Sequence, residues 1–326
     1  MTDSKDAQAI DDLVRINKTS ADTVPGHAGR AQHRKDHGCV TARFIVDADV
    51  PADLRAGIFA TPGAYDALIR YSNSSQADDR KADVHGMAIK VLGVPGEKLV
   101  DHEGAVDFLL IDSEVFFTGD PQAYILLSHA LIERGAILSK VFAWIRVLLF
   151  NLPLLLRAKG VASQKPNSPL ASTYHSAVPY ALGDAAVKYV ATPRVSTAQP
   201  PISGPDGLAT ALVAQLANGA FEFDFAVDVQ VDASAQPIED PTRKWSAAPG
   251  ARRVRLARIE IPAQAAVPTS ALAENLAFSP WHTLAAHRPL GFINRARSPI
   301  YHDLAAQRRR LNGVDPSTLP GGGERP

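Results

Sequence analysis

Short runs in which apolar and polar residues alternate recur along most of this chain, with no helix regularly set between them. The segments CVTARFIV (39–46), FEFDFAVDVQV (221–231) and RVRLARIEI (253–261) carry the pattern most clearly. Phe221, Phe223 and Phe225 would share one face of the second. Residues 68–72, 86–92 and 108–112 supply three further strand candidates. A doubly wound parallel sheet needs strand and helix to alternate, and this order does not, so an antiparallel barrel or sandwich is expected. Helical spacing is confined to 121–134, 136–149, 271–276 and 300–311, which makes the class α+β.

The remaining segments bound the domain. Residues 1–24 read as a polar arm with a short helix, 25–315 as one domain and 316–326 (PSTLPGGGERP) as a disordered tail. The most apolar stretch, 136–156, contains Lys140, Arg146, Asn151 and Pro153. Those residues are costly at a bilayer centre, so it is expected to be a buried or interfacial helix ending near Pro153. The start of the chain has no apolar export signal, and a cytoplasmic protein is the default. Lys+Arg and Asp+Glu are both 34, so the net charge of zero gives no bulk reason to expect nucleic acid or an acidic membrane as partner. The basic runs at 252–258 and 308–310 read as solvated faces. The single cysteine, Cys39, excludes an internal disulfide framework and a cysteine-based zinc cluster.

Chemistry-bearing residues gather at two ends of the chain. Near the start stands RAQHRKDHG (30–38), with two histidines just before the first strand. Near the end, RSPIYHDLAAQRR (297–309) places Pro299 where it suits the first turn of a helix, with Arg297 just before that helix. Tyr301 and Arg308 then fall about two turns apart on one helix face. A guanidinium beside a phenol favours the anionic oxygen, and a phenolate can ligate ferric iron.

Taken together these segments resemble the haem catalase superfamily, in particular its small catalase-related peroxidases. RYSN (70–73) resembles the family's Arg-Phe-Ser segment, and HGMAIK (85–90) its Arg-Gly-Phe-Ala-x-Lys. DFLLIDSEVFF (107–117) followed by Asp120-Pro121 is similar to Asn-x-Pro-x-Phe-Phe…Asp-Pro. The segment from Tyr174 through Pro179-Tyr180 to Gly183 resembles Ser-x-x-Pro-Tyr-x-x-Gly. ENLAFSPW (274–281), HRPLG (287–291) and NRAR (294–297) resemble the approach to the haem-ligand helix. The similarity runs in the family's order from about residue 30 to about residue 313.

The resemblance implies a catalase-type antiparallel barrel with helices packed outside it and a C-terminal haem-ligand helix. It implies ferric haem b as cofactor, with Tyr301 as the proximal ligand and Arg297 holding its oxygen as phenolate. Arg30, Arg70 and Arg308 would pair with the haem propionates, since guanidinium forks suit carboxylates. His33 would be the distal acid–base group, Ser72 would orient it, and Phe117, ahead of Phe116, would line the distal side. His37 has the same Arg-x-x-His spacing; His33 is preferred because Arg30 and Lys35 then fall in register. Asp112 stands where the family carries a distal asparagine. A neutral acid there can donate to peroxide, whereas an ionised carboxylate can only accept and would act as a second acid–base group.

The implied activity is therefore a peroxidase that reduces organic hydroperoxides with an organic reductant, in preference to dismuting hydrogen peroxide. A fatty-acid hydroperoxide-converting enzyme and a non-catalytic haem carrier or sensor are the alternatives. The apolar stretch 136–156 would pack on the barrel or a dimer partner, or else form an acyl tunnel or a weak membrane-surface contact. A symmetric homodimer is the expected assembly.

Overall fold

The computed structural model describes residues 4–20, 23–24, 27–100, 104–131, 137–195, 199–265 and 271–321. Two short strands, β1 (Thr23–Val24) and β2 (His27–Ala28), pair with each other. They lead into β3 (Lys35–Val46), β4 (Gly63–Asn73), β5 (His85–Leu92) and β6 (Ala105–Ile111), each antiparallel to the next. β7 (Tyr174–His175) joins β6 to β9 (Ala185–Pro193), and β8 (Tyr180–Leu182) pairs only with β9. β10 (Phe221–Val229) pairs with both β9 and β11 (Arg252–Ile261), and β11 returns to β3. Among the described residues, eight strands thus close an antiparallel barrel.

The alternation legible in the sequence is what fills it. Phe44, Phe108, Tyr189 and Phe225 come from four different strands and meet inside, with Phe59 above them. Their ring centroids lie 4.9–6.5 Å apart, the range of offset and edge-to-face contacts. The barrel is a packed core, and the space available to a ligand lies outside it.

Several expectations need correction. The six strand candidates are all strands, displaced at their ends by up to five residues. β9 was missed because buried Lys188 interrupts its apolar run; its ammonium sits 5.3 Å from the Trp245 ring centroid and donates to Arg243 O. The 300–311 helix is instead α7 (Gly291–Leu311), with Pro299 inside it. An interior proline costs a helix about 3 kcal/mol. Here Phe292, Ile293, Ala296 and Ile300 are buried against the core and the Glu239 carboxylate accepts from Phe292 N, so packing overrides the proline. Arg297 is therefore on the same helix as Tyr301.

The amino-terminal arm is helix α1 (Ser4–Ser20), which packs along α7 through buried Ala9 and Leu13. Asp6 and Lys18 pair with Arg295 and Asp303 of α7 at 2.9 and 2.6 Å. Residues 132–136, the expected junction of two helices, lie outside the described residues; α2 (Pro121–Leu131) and α3 (Ile137–Phe150) flank them. The helix of the apolar stretch ends at Phe150, near Pro153 as expected, and Pro153 lies in the first turn of a further helix, α4 (Leu152–Val161). α5 (Gly207–Asn218) covers β3, and α6 (Ala271–Asn275) precedes the approach to α7. Of the expected disordered tail, Gly321 lies against Ala105 and Lys90, and 322–326 fall outside the described residues.

Candidate functional site

A cavity lies between the β4–β6 stretch of barrel wall and α7. Period-two alternation on β4 sends Ile69 and Tyr71 into the core and Arg70 and Ser72 to the cavity. The helical period on α7 does the same for Arg297, Ile300, Tyr301, Leu304 and Arg308. His33 and Arg30 enter from the segment before β3. Seven of the residues singled out in the sequence (Arg30, His33, Ser72, Arg70, Arg297, Tyr301 and Arg308) thus share one cavity, although up to 278 positions separate them.

His33 is held in an unusual way. Its φ is +51°, in the left-handed region that non-glycine residues seldom adopt, at a cost of order 1–3 kcal/mol. Arg70 Nη2 donates to the His33 carbonyl at 3.0 Å, and the ring's Nδ1 lies 3.1 Å from Ser72 Oγ. The ring rests against Gly86, where an added Cβ would come within 2.7 Å of Nδ1. Burial first, and then the Arg70 charge, push the imidazole down to about 4. It is therefore neutral near pH 7, with Nε2 left as the nitrogen able to exchange a proton.

On α7, Arg297 Nη2 donates to Tyr301 Oη at 3.3 Å, while Nη1 reaches Asn294 Oδ1 at 3.1 Å and Tyr180 Oη at 3.4 Å. Asn294 is itself anchored, donating to Pro179 O at 2.8 Å. Burial opposes the Arg297 charge, but the phenols of Tyr301 and Tyr180 outweigh it and hold the guanidinium above its ordinary range.

A third group is cationic. Burial, then the charges of Arg308 and Arg70, hold the Arg30 guanidinium well below its usual range, and burial pushes Arg308 down to about 10. Both spend donors on backbone carbonyls, Arg30 on Ala273, Glu274 and Leu276 and Arg308 on Leu276. The Nε atoms of Arg30 and Arg308 are buried without a hydrogen bond. Asp36, 3.1 Å from Arg70 Nε, is pushed up to about 6 by burial. Among the described residues the carboxylates facing these three guanidiniums are Asp36 and Glu274, a cluster short of negative charge.

Two expected site residues lie elsewhere. Asp112 is not on the cavity wall: its carboxylate accepts from His85 N at 2.9 Å and contacts His85 Nδ1 at 2.6 Å. The β5–β6 register brings the two residues side by side, and a buried carboxylate takes the donors nearest to it. Ile111 takes the wall position instead. Phe117 is likewise absent from the wall; Phe116 lines it, and the Phe117 ring lies against it, tilted by 31° at 4.3 Å between centroids. The turn after β6, where Ser113 Oγ donates to Val115 O, breaks the alternation that would have chosen between them.

His37 is off the cavity as well. A bulge between Asp36 and Gly38 removes it from the ladder, and its Nε2 lies 2.8 Å from Asn73 Oδ1. Lys35 serves the scaffold, pairing with Asp79 at 2.8 Å while Asp79 caps the first turn of α5 through Leu208 N. Sequence reasoning missed Tyr124 and Gly86, which also line the cavity; the first carries no motif, and the second stood inside a motif without an assigned role.

No protein-family model matches the sequence, and no curated protein matches it. Solved structures do. A fungal catalase superposes with TM-score 0.66 at 16% identity, over 98% of this chain and 66% of that one. Catalase A from Saccharomyces cerevisiae gives 0.64 at 15%, over 98% and 69%, and a bacterial catalase 0.61 at 16%, over 97% and 64%. The fold is thus the catalase-type barrel, and the chain spans about two thirds of the length of those structures.

Proposed function

We propose that this cavity binds ferric haem b and that the protein is a haem-dependent peroxidase acting on organic hydroperoxides. One observation carries the reading: a guanidinium-supported phenol and a neutral, strained histidine line the same cavity as three buried guanidiniums short of anions. The donor set fits a haem. The unsatisfied Nε atoms of Arg30 and Arg308, with Arg70 beside them, suit two propionate carboxylates. Tyr301 Oη would hold the iron, tyrosine being one of the residue types known to bind haem iron. The apolar walls, Leu109, Ile111, Phe116 and Val178 among them, suit the porphyrin and an alkyl substituent.

The haem would supply the redox chemistry of peroxide cleavage. The chain's own residues do the rest. Arg297 donates to the phenol oxygen and so supports negative charge on it when it acts as a ligand. Ser72 and Gly86 set the plane of the His33 ring, and Nε2 takes the proton from one peroxide oxygen and returns it to the other, which leaves as water or an alcohol. Asp112, committed to His85, takes no part. With neither an amide nor a carboxylate from position 112 on the wall, the apolar surface beside His33 favours an alkyl hydroperoxide over hydrogen peroxide.

The test is a haem titration followed by turnover assays. A Soret band with the charge-transfer features of a high-spin phenolate complex is expected, lost in Tyr301→Phe. Turnover of an alkyl hydroperoxide with a dye reductant should exceed that of hydrogen peroxide. A protein that takes up no haem would overturn the reading. Conversion of a lipid hydroperoxide without any reductant would replace peroxidase chemistry with dehydration to an allene oxide and water.

A further inference from the structure

We infer that the α3–α4 face docks on an anionic lipid bilayer surface, lying along it without crossing. The inference does not depend on the haem reading. Val141, Phe142, Ile145, Leu148 and Leu149 on α3, with Leu152 and Leu156 on α4, are 44–69% exposed. Positions 141, 145, 148 and 149 follow the i, i+4, i+7, i+8 spacing of one helix stripe. Among the described residues the other large apolar side chains so exposed are Val195 and Val231, so the exposure is concentrated here. The opposite side is satisfied: Val147 packs with Ala130 of α2 and is joined by Trp144, Leu126 and Leu155. A contiguous apolar patch of this kind marks an interaction surface.

Charge and length identify the partner. The sequence from 134 to 183 contains no Asp or Glu, while Arg146, Arg157 and Lys159 are exposed around the patch. None of the three pairs with a carboxylate among the described residues. The net charge of zero conceals a local face of one sign. A second copy docked through the same patch would bring like charges together, since a two-fold interface is self-complementary. An anionic bilayer offers the complement to both features, apolar depth and negative headgroups. α3 has 14 residues, about 21 Å at 1.5 Å per residue, short of the roughly 30 Å hydrocarbon core. No helix among the described residues is long and apolar enough to cross a membrane. α2 stands between this face and the cavity, with Tyr124 on the cavity wall, so a docked protein would bring the cavity close to the lipid.

The experiment is vesicle flotation of the full chain, with vesicles of phosphatidylcholine alone or mixed with phosphatidylglycerol, alongside light scattering. The protein should float with the mixed vesicles and far less with phosphatidylcholine alone. Phe142→Ser with Leu149→Ser should abolish flotation without shifting the thermal midpoint, because both side chains are exposed. Arg146→Gln with Arg157→Gln and Lys159→Gln should weaken binding to mixed vesicles by roughly fivefold per charge. Equal flotation of all variants, or none by the unaltered protein, would overturn the inference. So would a dimer in light scattering that the two serine substitutions dissociate, which would show a second copy covering the face.

Discussion

A backbone held at positive φ is an expensive way to place a side chain, and His33 is one of two described non-glycine residues with this feature. The carbonyl bond from Arg70, the Ser72 hydroxyl and the open face of Gly86 together over-determine it. Gly86→Ala should therefore act on His33 and on the Ser72 hydroxyl that holds it. The new methyl would meet Nδ1 and tilt the ring, lowering hydroperoxide turnover on the order of a hundredfold while haem uptake is retained. His33→Ala should likewise keep the haem spectrum and lose about 10²- to 10⁴-fold in turnover. Steady-state assays beside a haem titration check both; wild-type turnover in His33→Ala would remove the imidazole from the mechanism. The residue types here were legible in the sequence. The strain was not, because φ at position 33 is set by contacts from residues 37 and more positions away.

Helix α7 carries both the Tyr301 phenol and the buried Arg308 guanidinium, and its long packed run explains how Pro299 is tolerated. Since Arg297, Tyr301 and Arg308 turn with one rigid element, a change at one end should not move the other. Arg308→Gln should cost haem affinity about 1.5–3 kcal/mol, the worth of a charge-assisted bond, while leaving the phenolate band in place. A haem titration with the spectrum recorded at saturation reads both. The i, i+4 and i+7 spacings were visible in the sequence, but proline chemistry pointed to a helix over 300–311 with Pro299 at its start. Tertiary contacts of Phe292, Ile293 and Ala296 extend it back to Gly291. The same limit governs Asp112, whose expected place on the wall was lost to a cross-strand neighbour that no local pattern reveals.

At the scale of the whole molecule, the aromatic cluster fills the barrel, and buried imidazoles tie its stability to pH. Phe225→Ala should cost about 3–5 kcal/mol, since its ring contacts Phe44, Phe59, Phe108 and Tyr189. Denaturant unfolding measures this. Burial pushes His33 and His37 down from 6.5 to about 4, and His287 to about 3. Between those values and 6.5 the unfolded chain binds more protons than the folded one, so stability rises with pH across that window. Asp36, pushed up to about 6 by burial, acts in the opposite direction between 3.8 and 6. Three imidazoles outweigh one carboxyl. The haem-free protein should therefore melt lower at about pH 4.5 than at about pH 7, by calorimetry; an unchanged midpoint would contradict the burial of these groups.

The sequence by itself determined the barrel's alternating walls and the residue types at its cavity, because side-chain period and donor chemistry are local properties. It also excluded a cysteine framework. Only the tertiary structure decided which of two phenylalanines faces the cavity, where Asp112 turns, and that the apolar 141–156 face is exposed on the chain. Those outcomes depend on strand register, a turn and helix packing, which join residues far apart in the chain and leave no signature in any short stretch of it.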